Sequence, residues 1–74
     1  MDHPTDQKIK EADITIEGHQ LSFQESMTLR VAMNSFLMSL NEEGLGNDDH
    51  GIKMTAYYRL RARAILKYIH EGAK

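Results

Sequence analysis

Marked for apolar and polar positions, the chain shows one short alternating stretch followed by two long helical ones. Ile14 and Ile16 alternate with Asp13, Thr15 and Glu17, the period-two pattern of a short strand, and Gly18 ends it as a turn. A lone strand leaves its edges unpaired, so it pairs either with His19–Leu21 across Gly18 or with another subunit. Both arrangements fit the pattern.

The first helix starts at Ser22. Ser22-Phe23-Gln24-Glu25 is a capping box, in which the serine oxygen takes the Glu25 amide and the glutamate reaches back to the Ser22 amide. The helix is expected to run to about Asn41, with Gly44 or Gly46 closing it. At about 100° per residue, Leu29, Met33, Phe36 and Leu40 form one stripe flanked by Ala32 and Leu37. Met27, Val31 and Met38 fall on the opposite side with Asn34 near them. Two apolar stripes on one helix predict two partners, and the second stripe is assigned to a homo-oligomer contact.

Asn47 or Asp48 caps the second helix, and the following aspartate suits its positive end. This helix is expected to reach about His70, with Gly72 as its stop. Gly51 falls in its first turns at a cost of about 1 kcal/mol against alanine, which predicts either close backbone packing or a kink. Met54, Tyr58, Ala62, Ile65 and Ile69 form its core stripe, with Leu66 at the border. Tyr57, Arg61, Ala64 and Tyr68 form an adjoining strip, and Arg59, Arg63 and Lys67 face away with Leu60 and His70. The short connection makes the two helices antiparallel neighbours. The expected fold is therefore mainly α: an antiparallel αα-hairpin with a short N-terminal β-strand or β-hairpin, homo-oligomeric. Residues 1–8 read as a flexible tail and 9–72 as one domain.

Composition sharpens the oligomer expectation. A 74-residue chain without cysteine has neither disulfide nor thiolate metal site to staple a marginal core, and oligomerisation is the remaining common remedy. The polar, acidic N-terminus is unlike a signal peptide, and no apolar run approaches the ~20 residues that span a bilayer. The expectation is a cytoplasmic protein. Its net charge of −2 conceals a segregation: residues 1–52 carry three cations and ten carboxylates, whereas 53–70 carry five cations and no carboxylate. Such a dipole pairs internally, pairs between subunits, or offers a basic surface to an anion. The acidic half makes non-specific nucleic-acid binding unfavourable.

No residue set reads as a catalytic centre, and no cofactor is implied. Asp48-Asp49-His50 has metal-ligand chemistry, but adjacent residues at a helix start diverge and none is followed by a ligand one turn on, so capping is the reading. Gly44-x-Gly46 lacks the strand and third glycine of a phosphate loop. His3, His19, His50 and His70 lie in four separate segments, none beside a nucleophile. The constellation with chemistry is Tyr57, Arg61 and Tyr68: arginine between tyrosines stacks on a base or forks onto a phosphate, and Arg30 can join it across a subunit contact. Tyrosine and arginine are equally the residues of protein interfaces.

Ile-Thr-Ile-x-Gly at 14–18, Met-Thr-Leu-Arg-Val-Ala at 27–32, Gly-Leu-Gly-Asn-Asp-Asp-His-Gly at 44–51 and the later Tyr-x-x-Arg resemble small helical-hairpin proteins of bacteriophages and prophages. In architecture the chain is similar to phage proteins that counter host defence, including sponges of cyclic nucleotide signals. That resemblance implies a bacterial host's cytoplasm and two partners besides self: a cyclic nucleotide or a host defence protein. It carries over no site residue. The expected function is sequestration of an anionic nucleotide at Arg30, Tyr57, Arg61 and Tyr68 near a subunit interface. The alternative is a protein–protein inhibitor or adaptor docking through the same helix.

Overall fold

The computed structural model describes residues 10–73, so the expected tail at 1–8 lies outside the described residues. Strand β1 (Thr15–Ile16) pairs antiparallel with β2 (His19–Gln20), and helices α1 (Phe23–Glu42) and α2 (Asp49–Gly72) follow. Of the two pairings open to the strand, the chain uses the one across Gly18. Thr15 stands opposite Gln20 and Ile16 opposite His19, and the Leu21 amide extends the ladder to the Ile14 carbonyl at 2.8 Å. The turn has positive φ at both Glu17 (52°) and Gly18 (80°), the mirror-image turn whose twist suits a two-residue hairpin. Glycine adopts this conformation freely. Glutamate does not.

Both predicted caps form. Ser22 Oγ accepts from the Glu25 amide at 3.1 Å while Glu25 Oε1 accepts from the Ser22 amide at 2.8 Å. Asp48 Oδ1 accepts from the Gly51 amide at 2.8 Å, the capping role read from the sequence. Helix α1 ends at Glu42, and Gly44 turns the chain out with a φ of 72°. Gly72 is a correction: it is the last helical residue of α2, not a stop beyond it. A methyl there would lie 3.0 Å from Ala12 Cβ, so the glycine makes room for the segment ahead of β1.

The hairpin buries a narrow line of contact. Leu40 of α1, Ala62, Leu66 and Ile69 of α2, and Ala12 are the buried apolar residues. Here the expected stripe shifts. Leu66, read as a border residue, is inside, while Phe36, Tyr58 and Ile65 remain more than a third exposed. Two helices share a single seam, and the apolar arc on each is wider than that seam. The surplus therefore spills onto one flat side of the pair.

Thr55 is a buried polar residue that the apolar pattern passes over. Its hydroxyl donates to the Gly51 carbonyl at 2.7 Å and accepts from the Leu45 amide at 2.8 Å. One oxygen thus ties the connection between the helices to the first turns of α2.

Candidate binding surfaces

The four ligand residues nominated from sequence separate into three places. Tyr57 and Arg61, one turn apart on α2, meet: the Arg61 guanidinium carbon lies 4.6 Å from the Tyr57 ring centroid. The Tyr57 ring also meets Tyr58 edge-on at 5.3 Å, and Tyr58 meets Phe36 of α1 edge-on at 5.9 Å. A chain of three rings thus runs from the arginine across the seam. These edge-to-face geometries put ring hydrogens on π-faces.

Tyr68 belongs elsewhere. Eleven residues beyond Tyr57, it lies roughly 16 Å further along the axis at the helical rise. It is 68% exposed and lines a recess of about 250 Å³ with Ile14, Leu29, Ile65 and Ile69.

Arg30 is engaged within the chain. Its Nε and Nη2 donate to the two oxygens of Glu11 at 3.0 and 2.9 Å, a two-pronged pair. The Glu11 side chain is only 3% exposed against 32% for Arg30. The hydrogen bonds from Arg30 hold the Glu11 carboxyl below its ordinary range, although burial pushes the other way, and Glu11 raises Arg30 in turn. The pair clamps the segment before β1 to α1, and within the chain the Arg30 fork is filled by Glu11.

The Met27, Val31 and Met38 side is more open. Val31 and Met38 are 50% and 59% exposed on the back of α1, and Met27 is half-buried.

A second apolar surface, unanticipated as an exposed feature, runs along one flat side. Ile16 and Leu21 of the β-hairpin form a groove with Leu29 and Ala32. Leu29 continues it to Ile14, Ile65 and Tyr68, and Phe36 with Tyr58 closes its far end. Taking about 200 Å² for a fully exposed large side chain, the six large residues most open on this side (Ile16, Phe36, Tyr57, Tyr58, Ile65 and Tyr68) leave roughly 600 Å² bare. That is at the upper limit for the largest apolar patch of a typical monomer.

The expected row Arg59, Arg63 and Lys67 is also corrected. Arg59 does not face away: its Nε donates to Asn41 Oδ1 at 2.8 Å and its Nη2 to the Leu40 carbonyl at 3.3 Å. Helix α1 has no basic residue in its own last turn, so Arg59 serves its carbonyl end from across the seam. Arg63 and Lys67 remain, and His70 follows them at the i, i+4, i+7 spacing. These three line a groove of about 520 Å³ between the helices with Asn34, Leu37, Leu66 and Glu71. Among the described residues, none of the five cations of residues 53–70 has a carboxylate within salt-bridge distance. Arg30, which pairs with Glu11, belongs to the acidic half.

Among the described residues, no helix is long and apolar enough to cross a membrane. Set against protein families, curated proteins and solved structures, the chain finds no match in any of the three.

Proposed function

We propose that this chain is a non-enzymatic binding module that works as a homo-oligomer, assembled through the flat side carrying Ile16, Ala32, Phe36, Tyr58, Ile65 and Tyr68. The observation behind this reading is that continuous apolar surface on a single layer of two helices. Domains bury apolar faces between at least two layers, and the whole pair is 17 Å across its thinnest dimension. A second copy laid on this side supplies the missing layer. The roughly 600 Å² of bare apolar surface approaches the ~800 Å² that each partner contributes to an ordinary stable interface. Charge favours an antiparallel copy: Glu25 lies at the hairpin end of this side and Arg61 beside its aromatic end, so inversion brings unlike charges together.

The resemblance to phage proteins suggests a phage-borne protein in a bacterial cytoplasm as the setting of such a module. One observation favours docking on an acidic protein partner as a second reading. Arg61 sits on Tyr57 at the margin of the apolar side without a carboxylate of its own among the described residues. Aromatic and arginine side chains are the usual anchors of such contacts.

Sedimentation equilibrium across micromolar concentrations tests the assembly. The protein should sediment as a dimer or larger, and Ile65→Lys should yield monomer, whereas Val31→Lys on the back of α1 should leave the assembly intact. A wild-type monomer, or dissociation by Val31→Lys alone, would refute assembly through this side. Docking on a host protein predicts instead that Arg61→Glu abolishes capture of one acidic protein while the oligomer persists.

A further inference from the structure

We propose that the groove lined by Asn34, Leu37, Arg63, Leu66, Lys67, His70 and Glu71 is a binding site for a small phosphate monoester with a flat apolar body. It lies on the other side of the helix pair from the apolar surface described above and does not depend on the assembly reading.

The chemistry divides the groove into two halves. Arg63, Lys67 and His70 follow one another at i, i+4 and i+7, so their donors project along one edge of α2. A guanidinium, an ammonium and an imidazole together present more N–H groups than a carboxylate accepts, and they suit the three terminal oxygens of a phosphate. The neighbouring cations are spent: Arg30 is forked on Glu11 and Arg59 on Asn41 and Leu40. The side chains of Arg63, Lys67 and His70 have no hydrogen-bond or ion-pair partner among the described residues, so an incoming anion displaces no internal side-chain contact.

The floor is apolar. Leu66 is buried and Leu37 half-buried, and they lie in the seam between the helices. Asn34 adds a carboxamide from α1, positioned by its Nδ2 bond to the Arg30 carbonyl at 3.0 Å. The Glu71 carboxylate is an acceptor for a ligand hydroxyl and, being negative, disfavours anions that extend past it. A groove of about 520 Å³ is within the range of small-molecule sites. An apolar floor, a cationic edge and one acceptor together select an amphiphilic phosphate over a bare anion.

Titration of ¹⁵N-labelled protein by NMR, with phenyl phosphate, inorganic phosphate and phenol as probes, tests the site. Phenyl phosphate should give saturable shifts at Asn34, Leu37, Arg63, Lys67 and His70. Inorganic phosphate should bind there more weakly, and phenol should not saturate. Arg63→Gln or Lys67→Gln should weaken phenyl phosphate about tenfold, the loss expected of one charge-assisted hydrogen bond. Lys53→Gln removes the same charge at the other end of the helix and should leave the affinity unchanged. Absence of saturable shifts, saturation mapped to Tyr57 and Arg61, or equal weakening by Lys53→Gln would each overturn the assignment.

Discussion

Replacing Gly51 with alanine separates two opposed forces at the start of α2. Helix propensity alone favours alanine by about 1 kcal/mol, since Gly51 lies within the helix. Packing opposes it. An alanine methyl would stand 2.8 Å from Gly46 Cα, 2.9 Å from the Gly46 carbonyl carbon and 2.9 Å from Asp48 Oδ1. Unstrained carbon contacts are ~3.5–4.0 Å, and two of these neighbours are backbone, so relief requires moving the connection rather than rotating a side chain. Overpacking of this kind costs about 1–3 kcal/mol. Displacing Asp48 also weakens the cap it forms on the Gly51 amide, worth about 1 kcal/mol.

The strain and cap losses outweigh the propensity gain, leaving a net destabilisation of roughly 1–3 kcal/mol. For a chain of this size that lowers Tm by about 4–8 °C per kcal/mol. Far-UV circular dichroism melts at fixed protomer concentration measure it, because self-association makes Tm concentration-dependent. Ala56→Gly, at an exposed position of the same helix, supplies the propensity term alone and should cost about 1 kcal/mol. A Gly51→Ala protein that melts at or above wild type would refute the packing argument and leave only propensity.

Three further outcomes follow from single contacts. Thr55→Val keeps the shape but leaves the Leu45 amide without its acceptor, so urea denaturation should show a loss of about 1–3 kcal/mol, the cost of an unpaired group; an unchanged midpoint would deny the hydroxyl its tie. Glu17→Asn should raise Tm by a few degrees, because asparagine tolerates the left-handed conformation at roughly 0.5–1 kcal/mol less than glutamate; a lower Tm would contradict the turn geometry. Glu11, whose carboxyl is held below its ordinary value, contributes stability that is complete above about pH 4.5 and is lost as pH falls through the depressed value. Wild type should therefore lose stability on acidification faster than Glu11→Gln. Parallel acid profiles for the two proteins would remove Arg30 as the cause.

What was legible in the sequence was local. The Ser22–Glu25 capping box and the Asp48 cap each need only a few neighbouring residues, and both form. Gly18 announced the β turn, and Gly51 the close approach of backbone. The contacts that escaped notice join residues distant in sequence: Glu11 to Arg30 and Arg59 to Asn41 span nineteen and eighteen positions. Periodicity finds the apolar arc of a helix but not the line within it where a single partner touches. Tyr58 and Ile65 were therefore assigned to a core that Leu66 in fact occupies. Thr55 was invisible for another reason: a threonine on a buried stripe reads as a break in the pattern until its two partners are known. Of the nominated ligand residues only Tyr57 and Arg61 meet: Tyr68 lies about three turns further along the same helix, and Arg30 is held by Glu11, a residue distant in sequence.

The charge segregation gains meaning from these contacts. Folding had the means to neutralise the basic helix, because ten carboxylates precede it, yet among the described residues no carboxylate pairs with a cation of residues 53–70, while Glu11 pairs with Arg30 inside the acidic half. Arg59 is satisfied by a carbonyl and a carboxamide and Arg61 by a ring face, so neither is paired with a carboxylate. Arg63, Lys67 and Lys53 carry their charges in the open. Like charges one turn apart cost a few tenths of a kcal/mol per pair in an isolated helix, and here no internal salt bridge offsets that cost. An anion that reaches Arg63 and Lys67 relieves it, so binding and stability are linked: a ligand at that edge should raise Tm most at low ionic strength. The same measurement without ligand is informative, since salt alone should stabilise the protein by screening the helix against itself.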